Sequence, residues 1–159
     1  VSFVQDITKF VEKTGLRADF VLRKLGFDGY RGVLFRSPVG NPDLWERKPP
    51  KGSGYVGGRF RGNWRIALNK ADLTITPDRS AAAQTGAEPT SGEEARAFAE
   101  IANARFGDSI HITQSLPYAK PIEYDKHSSQ APDGVLNPTF EELKTKLEAT
   151  VKSAEEAIP

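Results

Sequence analysis

Residues 2–36 carry apolar side chains at helical spacing, and no other stretch restricts the fold as strongly. Phe3, Ile7, Phe10, Val11 and Thr14 share one stripe before Gly15 interrupts it. Ala18, Val21, Leu22, Leu25, Gly29 and Val33 then share another. The spacing predicts one long, broken helical region over 2–14 and 17–36, with Gly26, Gly29 and Gly32 weakening its later turns. Ser37-Pro38 ends it, because a residue before proline is pushed out of the helical region.

A Pro/Gly-rich loop over 39–58 follows, with Trp45, Glu46, Arg47 and Lys48 in its middle. Loops this long usually do something or lack order. The period then becomes two. Phe60, Trp64, Ile66 and Leu68 point one way and Arg59, Arg61, Asn63 and Arg65 the other. A turn at Asn69-Lys70-Ala71-Asp72 and a second alternation at Leu73 and Ile75 predict a β-hairpin, stopped by Pro77. After a soft loop over 77–90, Ser91-Gly92-Glu93-Glu94 forms a capping box, with Ser91 as N-cap and Glu94 at the third helical position. The helix behind it carries Ala95, Phe98, Ala99, Ile101 and Ala102 and ends near Gly107. Residues 108–113 return to strand, with Ile110 and Ile112 inward and His111 outward. Beyond the aromatic stretch 116–124 and a loop over 125–137, a last helix over about 139–156 carries Phe140, Leu143, Leu147, Val151, Ala154 and Ile158 as a heptad-like seam. That seam suits packing on the chain's own sheet or on another chain. The expectation is a single α+β domain over 1–159: a long N-terminal helical region, a small antiparallel sheet made of a hairpin plus a further strand, and a C-terminal helix.

Composition narrows the chemistry. There is no cysteine among the 159 residues, so no disulfide, thiolate nucleophile or cysteine zinc site can form. No apolar run is long enough to span a bilayer and the first residues lack a signal-peptide pattern, so a soluble, non-secreted protein is expected. Residues 1–70 hold 14 Lys/Arg against 6 Asp/Glu, whereas residues 71–159 hold 8 against 15. Either the two halves intermix in the fold, or a basic surface meets an acidic neighbour or a polyanion.

Gly52-Ser53-Gly54-Tyr55-Val56-Gly57 matches the spacing of a dinucleotide-binding loop. That loop needs a strand before it and a helix after it. Here Pro49-Pro50-Lys51 precedes and an alternating stretch follows, so the match is chance and no cofactor is expected. His111 and His127 are the only histidines. They form no ligand pair, and Ser128 or Ser129 beside His127 lacks a nucleophile elbow, so neither a metal nor catalysis is expected. Glu93, Glu94, Glu141 and Glu142 sit at helix starts, where the dipole favours acids. Arg59, Arg61 and Arg65 share the polar face of the expected strand, which leaves three roles open: phosphate contact, a protein partner, or plain solvation.

Three segments together carry a resemblance: Ser37-Pro38-Val39-Gly40, then Gly57-Gly58-Arg59-Phe60-Arg61-Gly62-Asn63-Trp64-Arg65-Ile66, then Leu116-Pro117-Tyr118-Ala119-Lys120-Pro121-Ile122-Glu123-Tyr124. Over roughly residues 2–124 the chain resembles the neck, or tail-completion, proteins of long-tailed bacteriophages, often catalogued as minor tail components. It departs from them in an extra segment between Val39 and Gly57, and in Asp125 where a glycine is common. The resemblance implies a non-enzymatic virion part assembled in the host cytoplasm. It implies a homomeric ring that completes the tail and joins it to the head connector, with tail terminator or tail tube proteins on its other side and genomic DNA in its lumen. Under it, Arg59, Arg61, Arg65, Trp45, Arg47 and Lys48 are the candidate contacts to partners or to the DNA channel. The alternative is a small standalone nucleic-acid-binding module that uses the basic strand face.

Overall fold

A computed structural model describes residues 2–40, 47, 50, 57–77, 86, 88 and 91–159, with Ser91 and Glu93 described in the backbone only. The protein is α+β. Helix α1 runs unbroken over Phe3–Arg36, and Ser2 N–H donates to Gln5 Oε1 at its start (3.2 Å). The expected break at Gly15 is absent. At Ser37 the backbone leaves the helix for an extended conformation, as Pro38 requires.

The three glycines of the second half of α1 are packing sites rather than weak points. A Cβ on Gly26 would lie 2.5 Å from Ile110, one on Gly29 would lie 3.1 Å from Leu143, and one on Gly32 would lie 2.8 Å from Thr139. Their lost side chains let a strand and a helix come close to the α1 backbone. That contact offsets the poor helix propensity of glycine.

The strand pattern needs correction. Residues 59–63 do not extend a strand: Gly58 adopts φ 95°, and Arg59–Gly62 form a single helical turn, α2. Strand β1 is Trp64–Leu68, and its partner is β2, Ile110–Gln114, antiparallel with Ile66 opposite Ile112. No hairpin forms. Residues 71–77 run without strand pairing, and Leu73 and Ile75 stay exposed. Side chains hold this stretch instead. Asn63 Nδ2 donates to Thr76 O (2.9 Å), Thr76 N–H donates back to Asn63 Oδ1 (2.8 Å), and Arg65 Nη2 donates to Thr76 Oγ1 (2.7 Å). Thr74 N–H donates to Asp72 Oδ1 (2.9 Å), which lowers the Asp72 pKa. Asn69, in the left-handed region that asparagine tolerates, ties the end of β1 to the start of β2 through Ser109 and Asp108.

Helix α3 spans Ser91–Ile101, so Ser91 is its first residue rather than its N-cap, and Glu94 accepts from Arg31 Nε; the Ser91 side chain lies outside the described residues. The segment after β2 forms a short helix, α4, over Ala119–Tyr124. Helix α5 spans Leu136–Ala157. It packs along α1 rather than on the sheet, turning Thr139, Thr150 and Ala154 inward. The seam expected for it is therefore only half used: Ala154 is buried, but Phe140, Leu147 and Val151 remain exposed. The core joins Tyr30, Val33 and Leu34 of α1 to Phe60, Trp64, Ile101, Leu116, Ile122 and Val135. Burial of each large side chain there contributes about 1.5–3 kcal/mol. Among the described residues no helix is long and apolar enough to cross a membrane.

Candidate assembly surface

Two of the segments that carry the resemblance are wired to each other inside the core. Trp64, 2% exposed, donates from Nε1 to Ser37 Oγ (2.6 Å), and Ser37 in turn donates to Val33 O (2.6 Å). Tyr30 OH donates to Trp64 O (3.4 Å), and Phe60 meets the indole edge-on at 5.9 Å. Each buried polar atom of this chain of contacts has its partner, which a low-dielectric core demands. The third segment acts at a distance. The Glu123 carboxylate accepts from the backbone N–H groups of Val135 (2.8 Å), Leu136 (2.9 Å) and Asn137 (3.0 Å) at the start of α5. A carboxylate there satisfies orphan donors and complements the helix dipole. Gly134, at φ 79°, makes room for it, since a Cβ would lie 2.8 Å from Glu123. Ser37, Trp64 and Glu123 thus spend their chemistry on holding the fold, and no sequence signal beyond the short motifs marked those roles.

The four described candidate contacts, Arg47, Arg59, Arg61 and Arg65, do not share one face. Arg59 is exposed on α2, whereas Arg61 is fully buried, so the shared polar face expected of them does not exist. Arg65 lies half-buried and turned onto its own segment, donating to Gly62 O (3.1 Å), Trp64 O (3.3 Å) and Thr76. The alternation failed as a guide because the single turn of α2 rotates Arg59 and Arg61 onto different sides. Arg47 is exposed, and Trp45 and Lys48 lie outside the described residues.

The segment between Val39 and Gly57 leaves and rejoins the fold at one place. A Cβ on Gly57 would sit 2.5 Å from Gly40 O, so the two flanks touch. Gln130 pins the near flank, accepting from Val39 N–H (3.1 Å) and donating to Val39 O (3.0 Å). A cleft of about 400 Å³ opens beside these flanks, with Arg59, Tyr118 and His127 on its wall. His127 is exposed, and Ser128 Oγ accepts from Gln130 N–H (3.3 Å). His111 pairs with Ser109 Oγ (3.1 Å). Among the described residues no cluster of three metal-ligating side chains occurs.

Part of the charge asymmetry is met across the two halves of the sequence. Arg31 of α1 pairs with Glu94 (2.7 Å) and Glu88, which raises the Arg31 pKa, chiefly through the Glu94 hydrogen bond. Arg36 pairs with Glu142 of α5 (2.5 Å), and Lys146 with the same carboxylate. Hydrogen bonds from Lys146 and Arg36 lower the Glu142 pKa.

Part of what remains uncovered is apolar. Arg17 Nε donates to Ile158 O (2.9 Å), so α5 ends alongside residue 17 of α1. The turns of α1 before that point project past it. Phe3 (77%), Val4, Ile7, Phe10 (69%) and Val11 stand in solvent on this arm. Beside its base lies an open groove of about 800 Å³, lined by Val21, Leu22 and Leu25 of α1, Phe106, and Val151 of α5. Sequence reading placed the arm's stripe on a helix but could not see that no described residue covers it.

No protein-family profile, curated protein or solved structure matches this chain.

Proposed function

We propose that this chain is a structural subunit of the neck of a long-tailed bacteriophage, completing the tail and joining it to the head connector as part of a homomeric ring. The observation that carries the reading is the arm: a helix that holds two phenylalanines and three branched aliphatic residues in water is built to be covered by protein. The three short motif segments supply the neck part of the reading. Their buried roles fit a family held together by its fold, with the contacts left to helix ends and loops. Gly40 and Gly57 touch, so the segment between them can be shortened without moving its flanks, and its contacts are assigned here to a neighbouring subunit or the adjoining ring. A nucleic-acid module would have to work without the three-arginine track, since Arg61 is inside.

Immuno-electron microscopy of long-tailed particles made alongside this chain tests the reading. Label at the head–tail junction is expected, and label elsewhere on the particle, or none, removes it. Deletion of residues 42–55 should then leave the circular dichroism unchanged and impair the joining of heads to tails. Full joining would end the role given to that segment.

A further inference from the structure

We propose that two copies of this chain pair through antiparallel α1 arms, the Phe3–Val11 face of each seated in the groove of the other. The inference goes beyond the ring reading and concerns free subunits, whether or not they also close into a ring.

The first argument is alignment. At about 3.6 residues per turn, Phe3, Ile7 and Phe10 fall on the same side of α1 as Val21, Leu22 and Leu25. These last three line the groove. Leu16, Phe20 and Phe27 fall on the opposite side, in a separate groove against Phe98 and Ile101. Beyond the point where Arg17 meets Ile158, α5 leaves Val21, Leu22 and Leu25 only half-buried along this groove, and the arm's greasy face continues it. A helix laid there would extend an interface the fold already uses.

The second argument is register. Run antiparallel about Thr14, the stripe meets itself: Phe3 opposite Leu25, Ile7 opposite Val21, and Phe10 opposite the small Ala18. Thr14, which is exposed, meets its own copy. The stripe from Phe3 to Thr14 and the stripe from Thr14 to Leu25 that it meets each occupy about twelve residues of helix, or about 18 Å. The arm's polar residues Gln5, Lys9 and Lys13 lie on its far side and stay wet.

The third argument is area. Two phenylalanines and three aliphatic residues expose on the order of 500 Å² on each arm, so reciprocal pairing covers well over about 1,000 Å², enough for a specific contact. A self-complementary patch of this kind closes on itself with twofold symmetry and stops at two copies.

The chain has no cysteine, so single cysteines report the contact cleanly. Under mild oxidation Thr14→Cys should yield a disulfide-linked dimer in high proportion, and Lys120→Cys, exposed on α4, should not. Sedimentation of the full chain should show a dimer. Ile7→Asp should weaken it by roughly tenfold to hundredfold. Leu16→Asp, on the other side of the same helix, should leave it unchanged. Both variants alter exposed positions, and matching circular dichroism would show that they fold. A monomer at the highest soluble concentration, or no linkage of Thr14→Cys above that of Lys120→Cys, overturns the pairing. Linkage of Ile7→Cys chains to Val21→Cys chains without Thr14 linkage also overturns it, since the contact would then be head-to-tail. A chain that stays monomeric in sedimentation yet labels the head–tail junction sinks the pairing and spares the neck reading; Thr14-linked dimers with no label on particles do the reverse.

Discussion

The two ends of α1 obey the same periodicity and meet opposite fates. Beyond residue 17 the helix is enclosed: Gly26 and Gly29 touch the sheet, Gly29 and Gly32 touch α5, and Tyr30, Val33 and Leu34 are almost wholly buried. Before residue 17 a similar run of Phe, Val and Ile stands in water. Helical spacing identifies a face that must be covered, without saying by what. In one half the covering is intramolecular and amounts to a core. In the other no described residue supplies it.

Substitutions sharpen this contrast, and the largest effect belongs to the enclosed half. Trp64→Ala removes the floor beneath Tyr30 and Leu34 and leaves Ser37 Oγ without its indole donor. A loss of about 3–5 kcal/mol is expected in urea unfolding. A loss under about 1 kcal/mol would mean that the indole is not the center of the core.

Glycine to alanine should change sign along one helix. Gly32→Ala drives a methyl into Thr139 Cγ2, and Thr139 is fixed by its hydrogen bond to Val135 O (2.7 Å). The overpacking should cost about 1–3 kcal/mol, more than helix propensity returns. Gly15→Ala meets nothing within 4 Å, so propensity alone acts and the helix should gain up to about 1 kcal/mol. Thermal melts of the two variants should move in opposite directions. Movement in the same direction would break the distinction between the halves.

Acid should weaken the clasp between α1 and α5. Arg36 and Lys146 hold the Glu142 pKa below its ordinary 4.5. A depressed carboxylate contributes its stability fully above the unfolded value, and that stability fades as pH falls through the folded one. The side chain is 37% exposed, so screening keeps the contribution under about 1 kcal/mol. Glu142→Gln should flatten that part of the stability–pH curve below about pH 4.5 and leave the rest unchanged.

The smallest effect on folding is expected at the arm. Ile7→Asp should shift the stability of the dissociated subunit by no more than about 0.5 kcal/mol, since its side chain touches little of the fold. A large loss would show that the arm is part of the core after all.

Much of the architecture could be read from local patterns. The stop at Ser37-Pro38 and the inward Ile110 and Ile112 follow from turn chemistry or period. The β-pairing could not be read. Leu73 and Ile75 alternate as a strand should, yet β1 pairs with residues more than forty positions away, and side-chain bonds from Asn63 and Arg65 take the place of a hairpin ladder. Alternation reports that a segment can lie on a sheet, and says nothing of which segment lies beside it. The arginine face failed for a related reason: one helical turn after Gly58 is too short to leave a periodic trace, yet it is enough to send Arg61 inside.

By itself, then, the sequence determined where the three long helices lie, where proline ends the first of them, and that no thiol chemistry is possible. Those outcomes depend on backbone sterics and on hydrogen bonds within a few residues. Only the tertiary structure decided the partner of β1, the use of Glu123 to cap a helix, and which part of the α1 stripe is left bare. Each of these depends on the meeting of segments far apart in the chain, and solvent exposure is set by what arrives to cover a surface.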